Sequence, residues 1–283
     1  MINGKTKLLC LLGSPVEHSF SPMMHNASFQ KLDINAKYLA FDVHPNTLKQ
    51  AVEGLRALQF IGANITIPHK VNVMQYVDVL DPKAAMIGAC NTLVHKNEKV
   101  YGYNTDVSGF IESFKQINFE FKNKKIAILG TGGAAKAVLV GFLCEGVETV
   151  HLFSRTLEKA QELSNSIVDY QNIIPMTYDI LDSNYDYDVV VNTTPLGMHP
   201  NEGKIVVNPT DIGYKDTVFY DLIYNPNETE FLRLARLSNR RTMNGLDMLI
   251  YQGLDALQLW FEFDKANWTK KDVLKVLKGN NII

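Results

Sequence analysis

The strongest constraint on this chain sits near its middle, where an apolar strand runs into glycines and then a helix: Lys125-Ile126-Ala127-Ile128-Leu129-Gly130-Thr131-Gly132-Gly133-Ala134-Ala135-Lys136. Residues through Leu129 have β-type apolar character, and Ala134 to Cys144 is helix-forming. A bare glycine cluster marks an ordinary turn or a packing site, but strand, tight turn and helix in this order are what a dinucleotide phosphate site requires. Gly130 permits the turn, Gly132 lets the backbone approach a pyrophosphate, and small Ala135 lets the helix pack on its strand. The phosphate would rest on the free N–H groups of the helix N-terminus, where the macrodipole favours an anion. More than a hundred residues precede the turn, room for a domain that holds a second reactant.

The next strand, Thr149 to Phe153, ends at Ser154-Arg155-Thr156. A site for an unphosphorylated ribose usually carries Asp or Glu about twenty residues after the glycines, to bond the 2′-hydroxyl. None stands here; Lys159 follows one turn later instead. The planar guanidinium of Arg155 suits a phosphate dianion, and a cation at a helix start opposes the dipole unless an anion joins it. NADP is therefore expected over NAD.

The chain has 283 residues, 46% of them hydrophobic, enough for one or two cored domains. Its 28 basic and 30 acidic residues give a net charge of −2 without a polybasic tract, so nucleic acid and anionic membranes are not expected partners. Cys10, Cys90 and Cys144 are odd in number and widely spaced, and read as buried thiols of a reducing compartment. Leu8 to Leu12 follows two lysines but is too short for a leader's apolar core, and Gly13-Ser14-Pro15 breaks it as a strand end. No run approaches the ~18 apolar residues of a membrane span. The expectation is a cytoplasmic enzyme. The histidines (His18, His25, His44, His69, His95, His151, His199) lack ligand spacing, so no metal site is expected.

The first hundred residues alternate strand-like and helix-like segments: strands at 8–12, 36–43 and 62–67, helices at 22–32, 47–58 and 69–76. That alternation builds an open, mostly parallel sheet with helices on both faces. A helix at 108–116 leads to the charged stretch Glu120 to Lys125, read as the domain crossing, and the nucleotide domain continues with strands at 189–191 and 218–221. The helix at 248–261 is apolar nearly all round and is expected to pack back on the first domain; a surface helix near the C-terminus ends at Gly279. The fold expected is α/β in two domains: an N-terminal open, mostly parallel α/β substrate domain (1–106, completed by 246–283) and a Rossmann-type nucleotide domain (107–245), with a cleft between them.

Ligands in open parallel sheets bind beyond the carboxyl ends of the strands. Those ends in the first domain carry Ser14, His18, Ser19 and Ser21; Asn64, Thr66, His69 and Lys70; Asn91-Thr92; and Asn104-Thr105-Asp106. Singly these are caps and turn formers, and Ser21-Pro22 reads as an N-cap with proline at N1. Together they suit a small polyhydroxylated molecule, because hydroxyl and amide groups match each substrate O–H as donor or acceptor. Pro68 is expected to open a helix with Lys70 in its first turn. The dipole there disfavours the ammonium by only ~0.3–1 kcal/mol, and a neighbouring Asp106 would favour it. A mostly protonated Lys70 fits carbonyl reduction, where a proton must reach the oxygen of the carbon that receives hydride.

The strings His18-Ser19-Phe20-Ser21-Pro22, Asn64-Ile65-Thr66-Ile67-Pro68-His69-Lys70, Gly88-Ala89-Cys90-Asn91-Thr92-Leu93 and Gly102-Tyr103-Asn104-Thr105-Asp106 closely resemble the shikimate dehydrogenase family. So do Gly130-Thr131-Gly132-Gly133-Ala134, Asn192-Thr193-Thr194-Pro195-Leu196-Gly197-Met198, Tyr220-Asp221-Leu222-Ile223-Tyr224 and Asn244-Gly245-Leu246-Asp247-Met248, in order over residues 11 to 260. The resemblance implies NADPH-dependent reduction of 3-dehydroshikimate to shikimate on the way to the aromatic amino acids. It implies Lys70 as acid/base with Asp106 as its partner, and Ser19 and Ser21 on the substrate carboxylate with Tyr224 nearby. Thr66, Asn91 and Gln252 would meet the ring hydroxyls, with Asn64 close by. Gly130, Thr131, Gly132, Gly133 and Ala134 would hold the pyrophosphate, and Ser154, Arg155, Thr156 and Lys159 the 2′-phosphate. Thr193, Leu222 and Gly245 complete the implied cofactor set. The family commonly has Asn-Arg-Thr at the phosphate clamp, whereas Ser154 stands first here. His69 is given no catalytic role.

Two other readings compete: an NAD- or dual-specific quinate/shikimate dehydrogenase, and a non-catalytic NADP-binding sensor. The serine pair and Arg155 favour shikimate and NADP, and retention of both Lys70 and Asp106 disfavours a site that has lost turnover. The implied partner is the small-molecule substrate, with the protein a monomer or homodimer. Two domains holding two reactants are expected to close on them, since hydride transfer needs excluded water and close approach.

Overall fold

The computed structural model describes residues 2–167, 170–180, 185–261, 263 and 267–279. The chain divides into two compact units, Met1–Gly109 with Ile250–Ile283, and Phe110–Leu249.

The first unit begins with β1 (Lys7–Gly13), α1 (Ser21–Lys31), β2 (Ala36–Asp42), α2 (Leu48–Ala57), β3 (Gly62–Ile65), β4 (Val79–Leu80), α3 (Pro82–Ile87), β5 (Thr92–Lys96), β6 (Lys99–Tyr103) and the start of α4 (Asp106–Ser113). The sheet order is β2-β1-β3-β5-β6-β4. Pairings β1–β2 and β1–β3 are parallel, as the alternation predicts, and β4–β6, two strands that the alternation does not contain, is parallel too. The middle of the sheet is an antiparallel insert, β3–β5–β6, that the alternation does not contain. Its β5–β6 pairing follows from the two-residue link Asn97-Glu98, at φ 53° and 62°. So short a link can join only antiparallel strands, and two positive φ angles match the twist of a hairpin. Cys10, Leu12, Val52, Ala63, Ile65 and Val73 form the core of this unit.

The second unit adds β7 (Lys125–Leu129), α5 (Gly133–Cys144), β8 (Thr149–Ser154), α6 (Leu157–Asn165), β9 (Ile173–Thr177), β10 (Val189–Asn192), β11 (Val218–Asp221), α7 (Glu230–Leu237) and β12 (Arg241–Met243). All six strands are parallel in the order β12-β11-β10-β7-β8-β9. This is the doubly wound order, which reverses between β7 and β10 and opens a crevice at their carboxyl ends. Strands covered on both faces read as apolar runs. Accordingly Ile126 to Leu129, Val189 to Val191 and Val218 to Tyr220 are buried without alternation. Glu120 to Lys125, expected at the domain crossing, lies inside this unit. It is a surface approach to β7 pinned by Phe121, which is buried, and by Lys124 on Asp188 at 2.9 Å.

The chain returns to the first unit through α8 (Leu246–Phe261) and ends with α9 (Lys270–Gly279). The indole N–H of Trp260 donates to the Leu93 carbonyl at 2.9 Å, and the ring lies over Gly62, where any side chain would collide with it. His25 is buried between Tyr38 (ring centroids 4.5 Å apart) and Trp260 (5.2 Å). Loss of hydration lowers its pKa to about 3, so it packs as a neutral aromatic.

Three local expectations change. Ser21 is the first residue of α1, not its cap; its N–H is met by the Ser19 hydroxyl at 3.3 Å. After β3 the chain makes a turn, and a 3-10 segment starts only at Asn72, so Lys70 lies outside any helix and feels no first-turn dipole. Cys10 and Cys90 are buried, but Cys144 is exposed at the last turn of α5.

Candidate active site

In the first unit the strand-end polar groups form one hydrogen-bonded chain centred on Asn91, which follows the αL residue Gly88 that ends α3. The Lys70 ammonium donates to Asp106 Oδ2 at 2.7 Å, and Asn91 Nδ2 donates to Asp106 Oδ1 at 2.8 Å. Asn91 Nδ2 also faces Gln252 Oε1 of α8 at 3.5 Å, while its Oδ1 accepts from the Thr105 N–H at 2.8 Å and the Thr92 hydroxyl at 2.9 Å. Asn64 Nδ2 continues the chain to the Thr92 hydroxyl at 3.1 Å, and Asn64 Oδ1 accepts from Tyr38 at 2.7 Å. The Tyr38 hydroxyl is within hydrogen-bond reach of Ser21. Asn64 and Asn91 are 5% and 2% exposed, so neither amide can swing without leaving buried polar atoms unpaired.

The lysine is fixed from its backbone as well. Its carbonyl accepts from the Cys90 N–H at 2.7 Å, which ties the turn after β3 to the loop before β5. His69 is fully buried and its Nε2 bonds the Val43 carbonyl at 2.7 Å, anchoring the same turn from the end of β2. The Lys70 side chain is 33% exposed against 14% for Asp106. The carboxylate is held from both oxygens, and the amine keeps one side open to solvent or a ligand. Such a pair can orient a proton donor without burying it. Thr66 bonds the Leu12 carbonyl through its N–H at 2.9 Å and packs against Gly13, where an added Cβ would overlap it. Ser19 and Ser21 lie at the start of α1, with Ser21 9% exposed. Thr92 and Thr105, members of the strand-end clusters, and Tyr38, which no sequence pattern singles out, owe their partnerships to strand register, which no local pattern carries.

The second unit contains a cavity of about 780 Å³, lined by Gly130, Thr131, Gly132, Lys136, Arg155 and Lys159 and, across it, by the loop from Thr193 to Leu196. Gly130 has φ +114°, and an added Cβ would come within 2.7 Å of Thr193 Oγ1. Thr193 is itself fixed by its hydroxyl on the Leu129 carbonyl at 2.7 Å. Gly132 caps α5 with no side-chain partner, and a Cβ on Gly132 or Gly133 would meet nothing within 4 Å. The helix N–H groups therefore face open space, as an anion would need. Ser154 is buried at the end of β8 with its hydroxyl 3.4 Å from that of Thr131. Thr156 caps α6 through its backbone only, leaving its hydroxyl uncommitted to the helix. Arg155 and Lys159 are exposed, and no carboxylate pairs with either among the described residues. Lys136, which the motif reading passed over, brings a third cation to the cavity; partial burial lowers its pKa. This donor set fits a phosphorylated dinucleotide.

Beyond β11, Leu222 and Gly245 meet backbone to backbone. A Cβ on Gly245 would lie 2.0 Å from the Leu222 carbonyl oxygen, so only glycine fits. Tyr224 is half-buried in the same unit. Asp221 is fully buried, and desolvation raises its carboxyl pKa to about 6.

The sequence matches two family models: the shikimate dehydrogenase substrate-binding domain over residues 11–93, and shikimate/quinate 5-dehydrogenase over residues 112–200. It is 44% identical to a shikimate dehydrogenase (NADP(+)) of Desulforamulus reducens, with 98% of each chain covered. Among solved structures, a shikimate dehydrogenase in complex with NADP+ superposes with a TM-score of 0.90 at 39% identity, covering 99% of this chain and 97% of that one. Shikimate 5-dehydrogenase from Listeria monocytogenes, in complex with shikimate and NAD, gives a TM-score of 0.89 at 31% identity, with 98% of each chain covered. Among the described residues no helix is long and apolar enough to cross a membrane.

Proposed function

The chain belongs to the shikimate dehydrogenase family, and we propose that it catalyses the reversible NADPH-dependent reduction of 3-dehydroshikimate to shikimate, with Lys70 as acid/base and Asp106 as its partner. The observation that carries the reading is the Lys70–Asp106 contact at 2.7 Å, backed by Asn91 on the other carboxylate oxygen. Ser19 and Ser21 bind the substrate carboxylate, Tyr224 is a further substrate residue, and Thr66, Asn91 and Gln252 bind the ring hydroxyls beside Asn64. Gly130 to Ala134 bind the pyrophosphate, while Ser154, Arg155, Thr156 and Lys159 bind the 2′-phosphate. Leu222 and Gly245 line the nicotinamide, and Thr193 completes the cofactor set from across the phosphate cavity.

Held by these residues, NADPH would supply the hydride that the substrate carbonyl carbon accepts. As the C=O π bond breaks, the oxygen takes a proton from Lys70 Nζ, giving the secondary alcohol. Asp106 keeps the ammonium aimed at that oxygen, where its charge stabilises the developing alkoxide. The open side of Lys70 lets water restore the proton. In the reverse direction the neutral amine accepts the hydroxyl proton as hydride leaves carbon.

Arg155 and Lys159, which pair with no carboxylate among the described residues, support NADP over NAD. The Listeria relative holds shikimate with NAD, which keeps dual cofactor use as the second reading. The enzyme acts on a small molecule in the cytoplasm, as monomer or homodimer, without nucleic-acid or membrane partners. Initial rates for shikimate and quinate, each with NADP and NAD, followed by the absorbance of the reduced nicotinamide, test the assignment. The highest kcat/KM belongs to shikimate with NADP. A preference for quinate with NAD would replace it, and tight nucleotide binding without turnover would indicate a sensor.

A further inference from the structure

We propose that Asp221 is a positioning residue for the nicotinamide half of the dinucleotide, its buried carboxylate tying the loops after β10 and β11 to the N-terminus of α7. The inference rests on the reading of the second unit as an NADP site and assigns a role to a side chain outside the chemistry described above. Asp221 Oδ1 accepts from Asn192 Nδ2 and from the Ile223 N–H, both at 3.1 Å, and Oδ2 accepts from the Thr229 hydroxyl at 2.6 Å. Thr229 in turn caps α7, accepting the Leu232 N–H at 3.4 Å.

Asn192 extends the same device. It stands directly opposite Asp221 in the β10–β11 register, and its Oδ1 accepts the Thr194 N–H at 3.0 Å and the Thr194 hydroxyl at 2.8 Å. Its Nδ2 also faces the Leu196 carbonyl at 3.2 Å. One buried pair thus fixes the Thr193–Leu196 loop that walls the cavity and the Leu222–Ile223 turn that packs on Gly245. No cation pairs with Asp221 among the described residues, and its exposure is 0%.

Burying a lone carboxylate is costly unless its lone pairs are satisfied. The preceding positions on these strands are filled by apolar or aromatic residues, Val191 and Tyr220, so the core does not demand an ion here. What the carboxylate supplies is directional acceptance from donors on separate loops. Of the phosphate-facing groups, Gly132 stands at the start of α5, Arg155 in the turn after β8 and Lys159 in α6, and among the described residues none of these three hydrogen-bonds a member of this network. Disturbing Asp221 should therefore weaken one half of the ligand and spare the other.

Asp221→Asn preserves size but presents an NH2 to the Thr229 hydroxyl, which then loses its acceptor. Dissociation constants for NADP and for 2′,5′-ADP, which lacks the nicotinamide half, are measured by calorimetry without substrate. NADP binding should weaken by at least about fivefold while 2′,5′-ADP stays within about twofold. Thr229→Val should reproduce that asymmetry, and Thr229→Ser should recover most of the loss; this pair carries the test if Asp221→Asn does not fold. Equal weakening of both ligands, or no weakening of either, overturns the proposal. A wild-type chain that binds neither ligand refutes the NADP reading and the inference with it. Wild type that binds both without turnover refutes only the proposed reaction.

Discussion

Replacing Arg155 with alanine removes the one planar fork at the end of β8 and leaves the sheet intact, because the side chain is exposed and pairs with no carboxylate among the described residues. In the bound state it would hold a phosphate dianion that NAD lacks. Charge-assisted hydrogen bonds contribute about 1.5–3 kcal/mol each, and solvent screening at an exposed site reduces the pair to roughly 2–3 kcal/mol in total. At about 1.4 kcal/mol per factor of ten, the KM for NADP should rise roughly 30- to 150-fold. Lys159 and Ser154 remain, so binding weakens without vanishing. NAD never meets the guanidinium's partner, and its kcat/KM should stay within about twofold. Initial rates with saturating shikimate and each cofactor in turn provide the comparison. Equal losses for NADP and NAD would show that Arg155 supports the fold instead of reading the phosphate.

The raised carboxyl of Asp221 makes stability depend on pH. Its folded pKa, about 6, lies above the ordinary 3.8, so the native state holds the proton longer than the unfolded chain. The associated stabilisation is complete below about pH 4 and is lost as pH rises through about 6, an effect of roughly 3 kcal/mol. Urea unfolding across this window should show wild type losing stability relative to Asp221→Asn as pH rises; a constant difference would mean that the carboxyl titrates normally. Gly130→Ala forces a Cβ into contact with Thr193 Oγ1 at φ +114° and should weaken NADP binding by about tenfold or more through strain of ~1–3 kcal/mol. Unchanged affinity would show that the turn relaxes freely. Burial raises Cys90 to about 12 and Cys10 further, while Cys144 is exposed. A thiol reagent should therefore modify Cys144 alone in the native protein, and fast labelling of Cys144→Ser would contradict the packing.

The nucleotide turn was legible because its constraint is local: one residue at positive φ and one helix start without a cap can be read from glycine spacing. The carboxyl-end polar clusters were legible as a set, although no local spacing pairs Lys70 with Asp106 across 36 positions and only the family resemblance named the two together. Strand register makes that pairing, and the same register joins Asn192 to Asp221 and Asn64 to Thr92. The β5–β6 hairpin escaped because Asn97-Glu98 lacks the glycine that usually marks a two-residue link. α3 opens on Asp81 as cap with Pro82 in its first turn and stops at Gly88 in the αL conformation, but a six-residue helix shows too little periodicity to stand out. β12, Arg241–Met243, has no apolar run to read. Pro68 misled for a physical reason: proline starts helices and turns alike, and only the contacts of His69 and Cys90 decide which forms here.

In the proposed reaction Lys70 is the group that exchanges a proton with the reacting oxygen. Single-turnover oxidation of shikimate by Lys70→Ala, with NADP binding measured in parallel, tests this most directly. The chemical rate should fall by about a thousandfold or more, with a KM for shikimate changed only severalfold and NADP affinity unaltered. A rate within about tenfold of wild type, or a loss carried almost wholly by KM, would contradict it.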